Sequence, residues 1–282
     1  MGKVALIDGD ILVYRIGFAC QKTLWRISHK DSPDIVHLIE NSKRDFNSYI
    51  RNRNLKDLVI LKELQWGNIE EVYQTVRLSL ANIVFGSEAE DIKIYIGGST
   101  NFRNEVAETI SYKGNRKGIE KPLHYKNIRK YMENVFHAEI TEGIETDDAL
   151  GIAQTENTVI CSVDKDLDQI PGDHYNWIRN EYYTVSPFEG VKSFYSQLLM
   201  GDAIDNILGI YGIGRVKAHK LIEEVTSNDE LVEIVSKEYR KAFDAFWKER
   251  LIENSKLLWI LREPLGETPL SNPLIEGLDN VK

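Results

Sequence analysis

Apolar and polar positions form two different patterns along this chain. Short apolar runs at 4–7 and 158–163 are rich in β-branched residues and end at acidic residues, which is typical of buried strands. Longer stretches such as 69–85 and 186–200 repeat apolar residues with a helical period. Strands that alternate with helices and then give way to a helical region predict an α/β domain with a helical extension.

The same pattern predicts the remaining elements. Further helices are expected over 10–15, 42–53, 122–136, 146–157, 216–224, 229–237 and 238–261. Extended segments are expected over 24–40, folded back at a turn at 30–33, and over 91–96 and 177–185. Gly86 is the expected end of the helix over 69–85.

Composition narrows the class of protein. The chain has 282 residues and only two cysteines, Cys20 and Cys161, both in apolar stretches. This usage predicts reduced thiols and a cytoplasmic location. Asp8 and Asp10 interrupt the first apolar run, so we expect no signal peptide there, and no run is long enough to predict a membrane partner.

The charge distribution changes what the net charge suggests. A net charge of −9 argues against a polyanionic partner. However, two local clusters are basic, which suits either a solvated helix face or a nucleic-acid contact. The first cluster contains Lys113, Arg116, Lys117, Lys121, Lys126, Arg129 and Lys130, and the second contains Arg215, Lys217, His219 and Lys220.

Four acidic blocks are the main candidate chemistry. They lie at 6–10, 145–148, 164–168 and 201–205, and two of them directly follow predicted strands. Parallel strands deliver such side chains to one crevice at their carboxyl ends. Two carboxylates ~4 Å apart repel by ~4 kcal/mol at an effective dielectric of ~20, so a shared crevice calls for a cation. Carboxylate ligands favour Mg²⁺ or Mn²⁺.

Each block also has a structural alternative. Asp147 and Asp148 suit the first turn of a helix, where they complement the dipole. Block 164–168 starts like a calcium loop but lacks its glycine and its final glutamate. A haloacid-dehalogenase-like phosphatase would use Asp8 as nucleophile and Asp10 as general acid, but it would leave block 145–148 without a role. Outside that chemistry, Asp10 is expected to cap a helix.

The segment 201–218 adds a phosphate-binding pattern to the last acidic block. Its sequence, GDAIDNILGIYGIGRVKA, predicts a glycine-punctuated loop that leads into a helix. Gly212 and Gly214 permit close approach of a phosphate to the backbone at a helix amino terminus, and Lys217 adds a positive charge. Such a loop binds a nucleic-acid backbone without reading its bases.

These motifs together resemble the structure-specific 5′-nuclease family, which includes flap endonucleases and the 5′-nuclease domain of DNA polymerase I. The likeness runs from residue 4 to 221 through 8–15, 102–103, 112–116, 143–148, 162–166 and 201–214, and is greatest to stand-alone bacteriophage 5′–3′ exonucleases. It implies a PIN-like, mostly parallel sheet flanked by helices over 1–190, with a helical arch at 101–135. A helical extension over 191–282 would carry a helix–three-turn–helix element at 197–224.

The resemblance also implies roles for individual residues. Two metal ions would be held by the carboxylates of Asp8, Glu145, Asp147, Asp148, Asp164, Asp166, Asp202 and Asp205. Lys113, Arg116 and Arg15 would neutralise the scissile phosphate, and Tyr112 would either stack on a base or pack within the arch. DNA contacts would come from Arg103, Gly212, Gly214, Arg215 and Lys217, and the loop would bind K⁺.

One departure from the family pattern leaves two functions open. The family has an aspartate at the end of the strand before the Phe-Arg pair, where this chain has Gly97 and Gly98. The first expectation is a monomeric 5′–3′ exonuclease and flap endonuclease acting on DNA with 5′ ends, flaps or nicks, with RNA–DNA hybrids and replication or repair proteins as further partners. The second is a structure-specific DNA-binding protein with impaired cleavage. On this basis, Gly98→Asp is expected to raise metal affinity.

Overall fold

A computed structural model describes residues 2–40, 42–51, 53, 55–116, 118–266 and 270–278. The strands are β1 (Lys3–Asp8), β2 (Gln21–His29), β3 (Ser32–Glu40), β4 (Leu58–Trp66), β5 (Ala89–Asn101), β6 (Glu139–Gly143), β7 (Thr158–Cys161), β8 (Gly172–Asn176), β9 (Glu181–Val185), β10 (Gly201–Asp202) and β11 (Ile207–Leu208). The α-helices are α1 (Gly9–Ala19), α2 (Lys43–Ile50), α3 (Ile69–Ser87), α4 (Arg103–Val106), α5 (Tyr125–Phe136), α6 (Thr146–Ala153), α7 (Pro187–Met200), α8 (Arg215–Ile222), α9 (Asn228–Phe243), α10 (Trp247–Leu258) and α11 (Pro273–Leu278).

The central sheet has six strands in the order β6-β5-β1-β7-β8-β9. All neighbours pair in parallel except β8 and β9, which are antiparallel. Strand β1 lies between β5 and β7, and its residues Ala5, Leu6 and Ile7 are buried. A parallel strand covered on both faces reads as a continuous apolar run, which is the pattern that predicted it. The predicted α/β, mostly parallel fold is confirmed.

The pairing register brings the ends of β1 and β7 to one edge of this sheet, beside the middle of β5. Asp8 lies opposite Tyr95 of β5, and Ile7 lies opposite Cys161 of β7. The segments that follow Tyr95 and Cys161 therefore emerge beside Asp8. This edge is the one at which ligands bind in open parallel sheets.

Helices α7 to α11 pack around a separate apolar core. Phe194 and Tyr195 of α7 are buried in it together with Leu231 and Tyr239 of α9. The Tyr239 hydroxyl donates a hydrogen bond of 2.7 Å to the Leu198 carbonyl, so the buried ring keeps a polar partner. The segment that carries the fourth acidic block begins at the end of α7.

The chain forms two compact units. The first comprises 1–11, 81–119 and 133–282, and the second comprises 12–80 and 120–132. The second unit contains an antiparallel sheet in the order β3-β2-β4, where the Trp25 ring stacks on Phe46 at 4.5 Å. The limits of these two units do not coincide with the expected domain boundary at residue 190, which stays a prediction.

Several element boundaries differ from the sequence-based expectation. Helix α6 ends at Ala153, before the predicted 157, and α3 continues past Gly86 to Ser87. Between α4 and α5 the described residues of the predicted arch form only a 3₁₀ turn, at Gly114–Arg116. In the part of the chain that the structure describes, no helix combines the length and the apolar character that crossing a membrane requires.

Candidate functional site

Asp8 stands at the carboxyl end of β1 and is only 3% exposed. Its carboxylate accepts hydrogen bonds from the Ile11 amide at 3.2 Å and from the Ser162 hydroxyl at 3.0 Å. Burial raises the pKa of Asp8 to about 7, and the nearby charges of Asp10 and Asp164 act in the same direction. A buried carboxylate among acidic neighbours favours either a proton or a cation.

Helix α6 begins with the second acidic block. Glu145 is the N-cap and forms a capping box with Asp148, so both side chains satisfy backbone amides of the first turn. Asp147 differs, because no described residue donates a hydrogen bond to its carboxylate. Burial raises the pKa of Asp147 well above its usual value, and the charges of Asp8 and Asp164 raise it further.

Asp148 and Arg103 form a buried ion pair, which corrects two expectations. Both guanidinium NH groups of Arg103 donate to the Asp148 carboxylate, at 2.5 and 2.9 Å. Asp148 is 0% exposed and also accepts the Leu261 amide at 3.0 Å. Asp148 is therefore committed to the fold and not to a metal. Arg103 is 2% exposed and donates to the carbonyls of Leu257 in α10 and of Trp259 directly after it, so it is no DNA contact.

The third and fourth acidic blocks lie close to each other. Asp166 accepts a 2.6 Å hydrogen bond from Gln197 of α7, and burial raises the pKa of Asp166 to about 7. The charges of Asp164, Asp202 and Asp205 contribute to this rise. Asp202 accepts the amides of Ile204 and Asp205 at 2.7 and 3.2 Å, which orders the loop before β11.

One small pocket collects carboxylates from three of the four blocks. It has a volume of about 30 Å³, enough for a water-sized occupant. Its acidic lining residues are Glu145, Asp147, Asp166, Asp202 and Asp205. Among the described residues, however, no three acidic, histidine or cysteine side chains converge closely enough to hold a metal ion as they stand.

Two cations, Lys113 and Arg116, pair with carboxylates that line this pocket. Lys113 pairs with the Glu145 carboxylate and lies 3.5 Å from Asp205, while Arg116 pairs with the other oxygen of Asp205. The Lys113 amide also donates to the Asp205 carbonyl at 2.9 Å. Lys113 and Arg116 therefore neutralise two carboxylates of the pocket.

Tyr112 supports this arrangement from within the core. Its ring is 6% exposed and belongs to the helical core, while its hydroxyl donates to Glu145 at 2.9 Å and to Asp205 at 2.8 Å. Burial and the Glu145 charge raise the pKa of Tyr112, so the hydroxyl stays protonated. This placement fits the packing alternative and not stacking on a base.

Because its pKa is raised, ionised Asp166 lowers the free energy of unfolding of the metal-free protein. An aspartate titrates near pH ~3.9 when unfolded, so between that pH and about 7 the folded chain holds more protons. This group therefore lowers stability as pH rises through that window. Asp166→Asn is expected to raise the free energy of unfolding by about 1–3 kcal/mol at pH 8 in EDTA, measured in urea, and to change it little at pH 4. Equal stabilisation at both pH values, or a similar gain in the exposed control Asp91→Asn, would contradict this cause.

The predicted DNA-binding loop connects α7 to α8 and is largely exposed. Gly212 has a φ of 78°, which only glycine adopts without strain, and Gly214 precedes the first residue of α8. Ideal Cβ atoms at either glycine would have no atom within 4 Å, so their backbones are open to approach. Arg215 and Lys217 are exposed on the first turn of α8.

The roles of two further basic residues from the sequence analysis stay predictions. Arg15 is exposed on α1 and belongs to the second unit. Lys117, in the first basic cluster, lies outside the described residues. A role for Arg15 in neutralising phosphate stays a prediction.

The glycine pair on β5 corrects two further expectations. A Cβ at Gly98 would lie 2.4 Å from the Thr141 carbonyl oxygen, so Gly98→Asp would collide with backbone and cannot add a metal ligand.

Asp10 does not cap α1, because Asp8 does. The Asp10 carboxylate instead accepts the Gly97 amide at 2.8 Å and the Thr146 hydroxyl at 2.7 Å. A glycine inside a strand was the available signal for this close approach.

Comparison with known proteins provides related sequences. No protein-family model matches the chain. It is 32% identical over 159 residues to a DNA polymerase I of Caldicellulosiruptor bescii, covering 46% of this chain and 18% of that protein. It is 25% identical over 255 residues to a 5′-3′ exonuclease of Mycoplasma genitalium, covering 82% of this chain and 75% of the relative. The chain thus spans less than a fifth of the polymerase and three quarters of the exonuclease.

Solved structures share the fold. A bacteriophage T5 5′-exonuclease with bound zinc ions matches with a TM-score of 0.52 and 17% identity, covering 90% of this chain and 88% of that one. A T5 flap endonuclease in complex with DNA and metal ions matches with a TM-score of 0.52 and 15% identity over the same shares. The related sequences and the shared fold agree with the motifs. In its motifs, its related sequences and its fold, the chain is similar to 5′-nucleases.

Proposed function

We propose that the chain is a divalent-metal-dependent 5′–3′ exonuclease and flap endonuclease that hydrolyses phosphodiester bonds near the 5′ ends of duplex or branched DNA. One observation carries this proposal: carboxylates from three sequence-distant blocks line a single small pocket, and two arch cations lie against them. The names of the relatives, a DNA polymerase I and a 5′-3′ exonuclease, support the same chemistry.

The donor set fits hard divalent ions such as Mg²⁺ or Mn²⁺ because every candidate ligand is a carboxylate. Asp147 supports this most directly, since its carboxylate is surrounded by acidic groups and accepts no hydrogen bond from the described residues. Asp8, Glu145 and Asp147 would hold one ion, and Asp164, Asp166, Asp202 and Asp205 would hold the second. Bound ions supply an activated water and stabilise the leaving oxygen.

Lys113 and Arg116 have two successive partners in this proposal. Without metal they neutralise Glu145 and Asp205. If those carboxylates held cations, the two side chains would be free to pair with the scissile phosphate, which presents the same anionic oxygens. In this proposal Lys113 and Arg116 would neutralise the acidic pocket in the metal-free protein and would bind the substrate phosphate when metal ions are bound.

The loop between α7 and α8 would hold the duplex away from the pocket. Exposed amides at Gly212 and Gly214 and the charges of Arg215 and Lys217 suit phosphate contacts, which position DNA without reading sequence. Binding of K⁺ by this loop, activity on RNA–DNA hybrids and contacts with replication proteins belong to the same proposal.

The competing function is structure-specific DNA binding with impaired cleavage. It is favoured by Gly97 and Gly98, which stand in β5 where the family resemblance leads one to expect a carboxylate. A 5′-labelled flap incubated with Mg²⁺, Mn²⁺ or EDTA separates the two functions. We expect cleavage in either metal and none in EDTA. Flap binding without cleavage in both metals would reject the enzyme.

Lys113→Ala provides a sharper test of the arch. We expect the single-turnover cleavage rate to fall by about 10²–10³-fold, because a positioned cation at the reacting phosphate is lost, while duplex affinity falls less than about threefold. The matched variant Lys217→Ala should show the reverse pattern. Its affinity for duplex DNA should be weaker, while its cleavage rate at saturating protein concentration should stay close to that of the wild type. Equal losses of rate and affinity in Lys113→Ala would mean that this residue only positions DNA.

A further inference from the structure

Asp10 connects three elements, α1, β5 and α6, the last of which lines the acidic pocket through Asp147. It lies in the first turn of α1, directly after the end of β1. Its Oδ2 accepts the backbone amide of Gly97 on β5 at 2.8 Å and the hydroxyl of Thr146, the first residue of α6, at 2.7 Å. A single carboxylate oxygen therefore holds the start of α6 against the edge of the sheet.

Gly97 and Asp10 are sterically matched. A Cβ added at Gly97 would lie 2.8 Å from Asp10 Oδ2 and 3.4 Å from the Thr146 hydroxyl oxygen. The first distance is closer than real Cβ contacts, so any larger residue at position 97 must displace the Asp10 carboxylate. Gly97 does not have positive φ, so the requirement for glycine here is space and not backbone conformation.

The groups that Asp10 connects stand next to the proposed metal ligands. Asp8 lies two residues before Asp10, and Asp147 follows Thr146. Asp8 and Asp147 are close enough to interact, since the charge of Asp8 raises the pKa of Asp147. The bridge from Asp10 to Thr146 therefore fixes how far the end of β1 stands from the first turn of α6.

We propose that Asp10 is a positioning residue that sets the spacing of Asp8 and Asp147 for a divalent ion, and that Gly97 is its obligatory partner. The inference rests on the proposed function, because it assigns how that metal site is preorganised. Hydrogen-bonding groups behind metal ligands orient them, and losing such groups typically weakens metal affinity by about 10–100-fold.

The test is a Mn²⁺ titration of the full chain, followed by the electron paramagnetic resonance signal of free Mn²⁺. Asp10→Ala is expected to raise the Mn²⁺ concentration at half-saturation by about tenfold, and Gly97→Ala to act similarly by displacing the carboxylate. Asp10→Asn, which keeps an acceptor oxygen, should lose only about threefold. The double variant Asp10→Ala/Gly97→Ala should be no worse than Asp10→Ala, because both changes remove one interaction.

Thermal melting in EDTA and the exposed control Asp91→Ala separate the outcomes. A role confined to folding would lower the melting temperature of Asp10→Ala and leave the Mn²⁺ midpoint at the wild-type value, which would overturn the inference. If the fold-losses of Mn²⁺ affinity in the two single variants multiply in the double variant, the pairing of Asp10 with Gly97 is wrong. If Asp10→Ala does not fold, Asp10→Asn and Gly97→Ala decide by the same midpoints. Wild-type protein that binds no Mn²⁺ would instead reject the proposed function, and this inference with it.

Discussion

Replacing Asp147 with asparagine is expected to lower the single-turnover rate of flap cleavage by at least about a thousandfold, since a lost metal ligand removes several kcal/mol of charge stabilisation. The substitution should not damage the fold. No described residue donates a hydrogen bond to this carboxylate, and its pKa is raised by burial and by Asp8, so the ionised form is already disfavoured in the metal-free chain. We therefore expect stability in EDTA to hold or rise, as is common for residues retained for function.

The measurement pairs cleavage with binding. A 5′-labelled flap is cut in Mg²⁺ under single-turnover conditions, and affinity for the same flap is measured in EDTA. Asp168→Asn is the matched control, because Asp168 belongs to a neighbouring acidic block but its carboxylate accepts the Tyr183 hydroxyl at 2.7 Å. Cleavage by Asp147→Asn within tenfold of the control would show that Asp147 holds no ion needed for the reaction.

The sequence predicted the acidic edge of the sheet because its signal is local. The buried run of β1 ends in Asp8, and the run of β7 ends just before Asp164, so strand ends and acidic blocks could be located together. Strand β6 was missed, since Glu139–Gly143 is a polar segment that pairs only with β5. Strand β4 was missed because its place depends on pairing with β2, more than thirty residues earlier.

The roles of individual charges were harder to predict because they depend on distant partners. Asp147 and Asp148 are adjacent in sequence, yet one faces the pocket and the other is bound to an arginine 45 residues earlier. Nothing local distinguishes them. The same applies to Tyr112, whose hydroxyl partner Asp205 is 93 residues away. Residue type and spacing identify candidate ligands, whereas long-range packing decides which of them are available.

The second large effect concerns the buried ion pair. Arg103→Met is expected to lower the free energy of unfolding by about 3–5 kcal/mol, because it leaves the Asp148 carboxylate buried without its cation. The substitution also removes donors to the carbonyls of Leu257 and Trp259, which attach the end of α10 and the residue after it to α4. The double variant Arg103→Met/Asp148→Leu should recover part of this loss, since replacing both charges removes the unpaired group.

Urea unfolding of both variants measures the stability, and flap affinity of the folded protein distinguishes the two interpretations of Arg103. A DNA contact would predict weaker binding with little change in stability. A structural ion pair predicts the opposite, because a side chain that is 2% exposed has no face to present to a phosphate. Arg215→Met, at an exposed position on α8, is the control that should weaken binding and leave unfolding unchanged. If Arg103→Met behaves like Arg215→Met, the assignment of Arg103 and Asp148 to the fold is wrong, and Asp148 returns to the set of candidate metal ligands.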